Sequence, residues 1–137
     1  MEIIIDSNII FSALIKNSKT RKLIIEYENY FLFPEYIFFE LQNHKNELLE
    51  KSQMNKKDFN KLLEIILMKV KVIPASKLIP YKVEAHEIIK DIDINDIEFI
   101  ACALAYQNSI IWSDDKALKK QSTIKILNTK EIINILK

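Results

Sequence analysis

Short, unbroken apolar runs alternate along the chain with longer stretches in which apolar residues recur every three or four positions. The first run, Ile3 to Ile5, is too short and too continuous for an amphipathic helix, so it predicts a buried strand over residues 2–5. Similar runs predict four further strands, at residues 30–33, 71–73, 110–112 and 124–126. This alternation with helices favours an α/β fold whose central parallel sheet of four to five short strands is covered on both faces.

The predicted helices follow the amphipathic stretches between these strands. The two clearest cover residues 35–51 and 57–70, and Pro34 suits the first turn of the former. Others are expected after Ser7, around Leu23, over residues 77–90 and 97–107, after Asp115, and over 131–137. A group of aromatic residues before and within the start of the 35–51 stretch is assigned to the core and an interface rather than to a base-stacking platform, and they are Phe31, Phe33, Tyr36, Phe38 and Phe39.

Length and composition bound the class of protein. The 137 residues, 49% of them hydrophobic, suffice for one domain with one core, over residues 1–137. No apolar run approaches the ~20 residues of a bilayer span, and the N-terminus lacks the pattern of a signal peptide. The lone Cys102 fits a reducing compartment, so we expect a cytoplasmic protein with no membrane partner.

Glycine is absent from the chain. Phosphate-binding loops of the P-loop and dinucleotide types need glycine where backbone approaches phosphate, and so does the nucleophile elbow of α/β-hydrolases. Those enzyme classes therefore become unlikely candidates. The net charge of +1 is nearly uninformative about partners.

Acidic residues follow two of the predicted strands. Asp6 comes directly after the first strand, and the tandem Asp114 and Asp115 come after the strand at 110–112. Because the carboxyl ends of parallel strands share one edge of a sheet, where ligands bind in open α/β folds, we expect these acids at the same edge.

Two further acids lie at the borders of apolar helix faces. Asp96 begins a stripe that continues through Ile100 and Ala103, and Glu40 borders the stripe of the 35–51 helix. Carboxylates that cluster raise one another's pKa unless a cation compensates, and a hard divalent cation such as Mg²⁺ or Mn²⁺ takes oxygen ligands. Such a site polarises a phosphodiester and orients an attacking water, which predicts metal-dependent phosphoryl chemistry.

Each acid also has an ordinary structural explanation. An aspartate at a strand end can cap the helix that follows, for about 1 kcal/mol, and Glu40 can pair with His44 or Lys45. Their joint placement at strand ends and helix rims is what favours the functional interpretation. Three lysines beside Asp115 either contact a nucleic-acid backbone or form a solvated face, and they are Lys116, Lys119 and Lys120.

Four stretches of the chain resemble, in order and over nearly its whole length, the motifs of PIN-domain ribonucleases: IIIDSNIIFSAL, PEYIFFELQNHK, DIDINDIEFIACALA and IIWSDDKAL. The resemblance implies a PIN-like three-layer α/β/α fold. It places the family's metal-site acids on Asp6, Glu40, Asp96 and Asp115. Supporting positions fall on Asn8, Asp93 and Ser113. In the last motif the spacing to Leu118 favours Asp115 as the ligand, with Asp114 in the variable position and still an alternative.

The resemblance implies a Mg²⁺- or Mn²⁺-dependent endoribonuclease that acts on an RNA substrate. Many bacterial and archaeal members are VapC-type toxins, inhibited by a small cognate antitoxin and often homodimeric, so an antitoxin and a second copy are implied as candidate partners. Lys116 and Lys119 are candidates for contact with the RNA backbone. Two alternatives stay open: a catalytically silent PIN-like module that binds RNA or protein, and a phosphatase or receiver-like domain with a phosphorylated aspartate.

Overall fold

The structure, a computed structural model, describes residues 1–136. In this part of the chain five short strands form one all-parallel sheet in the order β3-β2-β1-β4-β5. The strands are β1 (Glu2–Ile5), β2 (Phe31–Pro34), β3 (Val70–Ile73), β4 (Ser109–Trp112) and β5 (Ile126–Leu127). The central strands are built from β-branched and aromatic residues, and Ile4, Phe31 and Ile111 are fully buried.

Helices cover the sheet in two groups. They are α1 (Ser7–Ile15), α2 (Lys19–Glu26), α3 (Tyr36–Ser52), α4 (Lys56–Leu67), α5 (Ala75–Leu78), α6 (Lys82–Ile89), α7 (Ile97–Ala105) and α8 (Thr129–Ile135), with 3₁₀ turns at Ile79–Tyr81, Ile94–Asp96 and Lys116–Lys120. The helices α1 to α4 pack together, α5 and α6 pack with α7 against the central strands, and α8 packs beside β5. The result is the α/β/α arrangement that the pattern predicts. No helix within residues 1–136 has both the length and the apolar character needed to cross a membrane.

Two predicted element boundaries near prolines are wrong. Pro34 ends β2, and α3 begins only at Tyr36, because the N–H of Glu35 donates to Ile73 O at 2.9 Å and so continues the sheet past the proline. The helix predicted over 77–90 is divided by the 3₁₀ turn at Ile79–Tyr81. Pro80 has no N–H to donate in an α-helix, so the regular hydrogen bonding is interrupted there.

The C-terminal elements also differ from the prediction. The last strand begins at Ile126, two residues late, because the Gln121 amide binds both the N–H and the carbonyl of Ile124 at 2.8 Å and holds that residue in the loop. The last helix begins at Thr129, where Asn128 and Glu131 form a capping box. Residue 137, the last of the predicted helix and domain, lies outside the described residues.

Candidate active site

The adjacent strands β1 and β4 deliver two polar residues to the same point of the sheet edge. Ile5 pairs in register with Trp112, so Asp6 and Ser113 follow side by side. The Ser113 hydroxyl donates to Asp6 Oδ2 at 2.7 Å, and the Asp6 N–H donates to Trp112 O at 3.1 Å. Both side chains are buried, so the Asp6 carboxylate has a fixed position.

Asp6 is not a helix cap in the ordinary sense. It precedes α1, yet its carboxylate makes no capping hydrogen bond to that helix. Burial raises the pKa of Asp6, while the hydrogen bond from Ser113 opposes this shift. The Asn8 N–H also lowers this pKa, so Asp6 retains a weak interaction with the first turn of α1, and its charge is held at the sheet edge at a free-energy cost.

Three more aspartates form a compact group beside Asp6, here called the acid group: Asp93, Asp96 and Asp115. One carboxylate oxygen of each lies within 4.8 Å of the others. Asp93 and Asp115 each use Oδ1 to accept a backbone N–H at 3.0 Å, from Asn95 and Ala117 respectively. These caps orient the two side chains and leave the second oxygen of each available for other contacts.

Asp96 is the least satisfied member of the acid group. It stands at the N-terminus of α7 without a side-chain capping bond, and its Oδ2 is buried with no hydrogen-bond partner among residues 1–136. Burial, reinforced by the charges of Asp6 and Asp93, raises the pKa of Asp96 to about 7. A buried, unpaired oxygen among carboxylates fits a divalent cation, and an all-oxygen donor set suits a hard ion.

The tandem aspartates after β4 have different surroundings. Asp114 accepts hydrogen bonds from the backbone N–H and the hydroxyl of Thr129, at 2.7 and 2.8 Å, and so holds the start of α8. Asp115 belongs to the acid group instead. The geometry thus agrees with the spacing in favouring Asp115 over Asp114 as a ligand.

An open cleft of about 890 Å³ leads from these acids between α1 and α3. The predicted site residues that line it are Asp6, Asn8, Glu40, Asp93 and Asp96, whereas Ser113 and Asp115 approach from the β4 side. Glu40 forms no ion pair within residues 1–136, because His44 lies 3.4 Å from Glu47 instead. Hydrogen bonding to Glu40, together with burial, raises the pKa of Tyr36 to about 12.

A family model described as PIN domain matches residues 4–135. The chain belongs to the PIN-domain family. A chain from the crystal structure of VapBC2 from Rickettsia felis, bound to a DNA fragment from their promoter, matches with a TM-score of 0.69. The two chains are 20% identical, and the match covers 93% of this chain and 98% of that chain. No curated protein gives a significant match to the sequence. The family and fold that the sequence motifs implied are thereby confirmed.

The lysines selected from the sequence do not reach the cleft of this PIN domain. Lys119 forms an ion pair with Glu131, Lys116 is exposed, and neither is among the residues that line the cleft. The cleft instead has Lys16 and Lys51 along its walls, and Lys51 is itself paired with Glu47 at 2.8 Å. These two lysines were missed because they join the cleft only through the packing of α1 on α3.

The PIN domain also exposes aromatic side chains that the sequence assigned to the core and an interface. Phe39 is 63% exposed and Tyr36 is 37% exposed, and both line the cleft with Phe11. A usable signal was present in the sequence: the buried stripe of α3 runs through Ile37 and Leu41, which leaves Phe39 off that face.

Proposed function

We propose that this PIN domain is a divalent-metal-dependent endoribonuclease that hydrolyses RNA phosphodiester bonds, with Mg²⁺ or Mn²⁺ as its cofactor. The observation that carries the proposal is Asp96 Oδ2, a buried carboxylate oxygen that has no partner in the described part of the chain and lies beside Asp6 and the rest of the acid group. A natural domain retains such repulsion when a cation or a substrate offsets it.

The acid group would hold the cation, with Asp6 beside it and Glu40 reaching the same cleft from α3. A divalent ion bound there supplies Lewis-acid stabilisation to a scissile phosphate and promotes ionisation of a nucleophilic water. The chain's own residues keep the carboxylates convergent. Ser113 fixes Asp6 through its hydroxyl, and backbone N–H groups fix Asp93 and Asp115.

Metal-dependent cleavage of a labelled single-stranded RNA tests the proposal. We expect cleavage with Mg²⁺ or Mn²⁺, none in EDTA, and a loss of at least about 100-fold in Asp6→Asn and in Asp96→Asn. The matched control is Asp91→Asn, which removes an exposed carboxylate outside the acid group and is expected to cleave normally.

Four results would contradict this function. Cleavage that persists in EDTA, or that both variants retain, would remove the acids from the chemistry. Tight RNA binding without metal-dependent turnover would favour the silent RNA-binding module in place of the nuclease. Stable phosphorylation of an aspartate by a small phosphodonor, detected by mass spectrometry, would instead favour a receiver-like role.

We further propose that the protein acts as the toxin of a toxin–antitoxin pair, inhibited by a small antitoxin. Membership of the PIN-domain family and the likeness of the fold to a chain of VapBC2 support this role. Induced expression should arrest bacterial growth, Asp96→Asn should not, and co-expression of a small protein from the adjacent reading frame should restore growth. Normal growth despite an active enzyme would be consistent with the nuclease activity but would contradict the toxin role.

A further inference from the structure

The cleft has three chemically different zones along its length. At the sheet edge lie the carboxylates of Asp6 and Asp96, and at the opposite end lie Lys16 and the ion pair that Lys51 forms with Glu47 at 2.8 Å. Between them the walls carry aromatic rings from both helices, Phe11 on α1 and Tyr36 and Phe39 on α3. A single cleft therefore offers acidic, aromatic and basic surfaces in sequence.

The order of these zones follows from the fold. Both α1 and α3 begin directly after parallel strands, so both leave the acidic sheet edge and run away from it along the cleft. The rings of Phe11 and His44 lie 5.7 Å apart and join the two walls midway. From Asp6 to Lys16 the chain advances ten residues, or about 15 Å of helix, against about 3.4 Å per nucleotide in a stacked strand. The cleft is long enough for more than one nucleotide.

The aromatic zone exposes large apolar surface beside charged groups. Phe39 is 63% exposed, and the neighbouring Tyr36 lies one helical turn away on the same face of α3. Tyr36 also lies four residues before Glu40 on α3, so its ring stands next to a predicted catalytic acid. Rings presented in this way are suited to face-on contact with another π-system.

We propose that Phe39, with Tyr36 beside it, forms a stacking site for an unpaired nucleobase of the RNA, next to the phosphate that lies at the acid group. This inference rests on the proposed function and adds to it a binding site for one base of the RNA. Lys16 then faces a phosphate further along the strand, whereas Lys51 is already paired with Glu47 at 2.8 Å. An alternation of base and phosphate matches the exposed rings followed by Lys16, whereas an apolar peptide would leave Lys16 without a counterpart.

Stacking requires the base to be unpaired, because the faces of a base in a duplex are covered by its neighbours. The enzyme is therefore expected to bind and cleave single strands and loops in preference to duplex RNA. This selectivity depends on Phe39 and needs no hydrogen-bond reading of base identity, so the sequence preference at the stacked position is weak.

The decisive experiment measures binding without turnover. A fluorescein-labelled single-stranded RNA is titrated with the protein in Ca²⁺ in place of Mg²⁺, by anisotropy. Phe39→Ala should raise Kd at least about fivefold, Phe39→Trp should keep Kd near that of the unmodified protein, and Tyr30→Ala is the matched control. Tyr30 is 62% exposed and does not line the cleft. Because Phe39 is mostly exposed, its replacement is expected to leave the melting temperature nearly unchanged.

An abasic scan of the RNA identifies the stacked base. In the unmodified protein, an abasic ribose at one position of the RNA should raise Kd by the same factor as Phe39→Ala does. In the Phe39→Ala protein, the abasic ribose at that position should raise Kd no further. Equal binding of RNA by Phe39→Ala and the unmodified protein would overturn the inference and leave the rings as a surface for a protein partner. If cleavage fails but the Phe39 effect persists in binding, the stacking site stands and the nuclease proposal falls.

Discussion

Two groups of acids lie near each other on this molecule and differ in almost every physical respect. At the start of α8, Asp114 accepts two hydrogen bonds from Thr129, and Glu131 accepts from the Asn128 N–H and pairs with Lys119. Two hydrogen bonds, one from Lys119 and one from the backbone N–H of Asn128, lower the pKa of Glu131. These carboxylates are stabilised by their neighbours and contribute to the fold.

In the acid group the neighbours have the opposite effect. Burial raises the pKa of Asp6 and raises that of Asp96 to about 7, and one Asp96 oxygen has no partner within residues 1–136. Asp114 and Asp115 are consecutive in sequence, yet both oxygens of Asp114 accept from Thr129, whereas Asp115 caps the Lys116–Lys120 turn with one oxygen and lies in the acid group. The comparison shows that position at a sheet edge does not separate the two groups, whereas the buried Asp96 oxygen without a partner among the described residues does.

The largest expected effect is the difference in cleavage rate when each of these consecutive aspartates is replaced in turn. Asp115→Asn should lower the rate of metal-dependent RNA cleavage at least about 100-fold, because it removes a charge from the group that holds the cation. Asp114→Asn keeps an acceptor for Thr129 and should stay within about threefold of the unmodified rate. Single-turnover cleavage with both variants measures the difference, and equal losses would place both aspartates in the chemistry.

A second expected effect concerns stability and pH in the presence of EDTA. The pKa of Asp96 is raised from 3.8 to about 7, so the folded protein binds a proton there more tightly than the unfolded chain does. The free energy of unfolding therefore falls as the pH rises between those two values. The Asp96→Asn substitution removes this pH-dependent decrease in the free energy of unfolding. The variant should therefore melt at a higher temperature than the unmodified protein at about pH 8 but not at about pH 4.

The control for this effect is the cation itself. Mn²⁺ at about 100 times its Kd should stabilise the unmodified protein by about 2.7 kcal/mol and should stabilise Asp96→Asn much less. A variant that melts lower than the unmodified protein at both pH values would show that the Asp96 carboxylate contributes to the fold, as the acids at α8 do.

The positions of several of these acids could be predicted from the sequence, because they follow from the direction of the strands. Asp6 and Asp115 each follow an apolar run, and parallel pairing of β1 with β4 brings the ends of those runs together. The placement of Asp96 on the buried side of α7 follows from helical periodicity in the same way. These inferences need only the local pattern and one rule of topology.

The remaining features depend on packing that no local pattern encodes. Asp93, given only a supporting role from sequence, lies in the acid group because a turn capped by its own side chain approaches β4. Lys16 joins the cleft through the packing of α1 on α3, while Lys119 turns toward Glu131. Such distances are set by how whole elements dock, so sequence spacing does not report them.

The smallest expected effect lies at the cap of α8 and completes the contrast. Asn128→Ala removes an acceptor for the Glu131 N–H, now held at 2.9 Å, and should lower the free energy of unfolding by about 1 kcal/mol. For a chain of this size that corresponds to a melting temperature about 3–5 °C lower. Asn134→Ala, an exposed change on the same helix, is the control. The cleavage rate should not change in either variant, because the cap contributes to stability alone. A lower cleavage rate in Asn128→Ala would instead show that α8 positions Asp115 through Asp114, so that the two groups of acids are coupled.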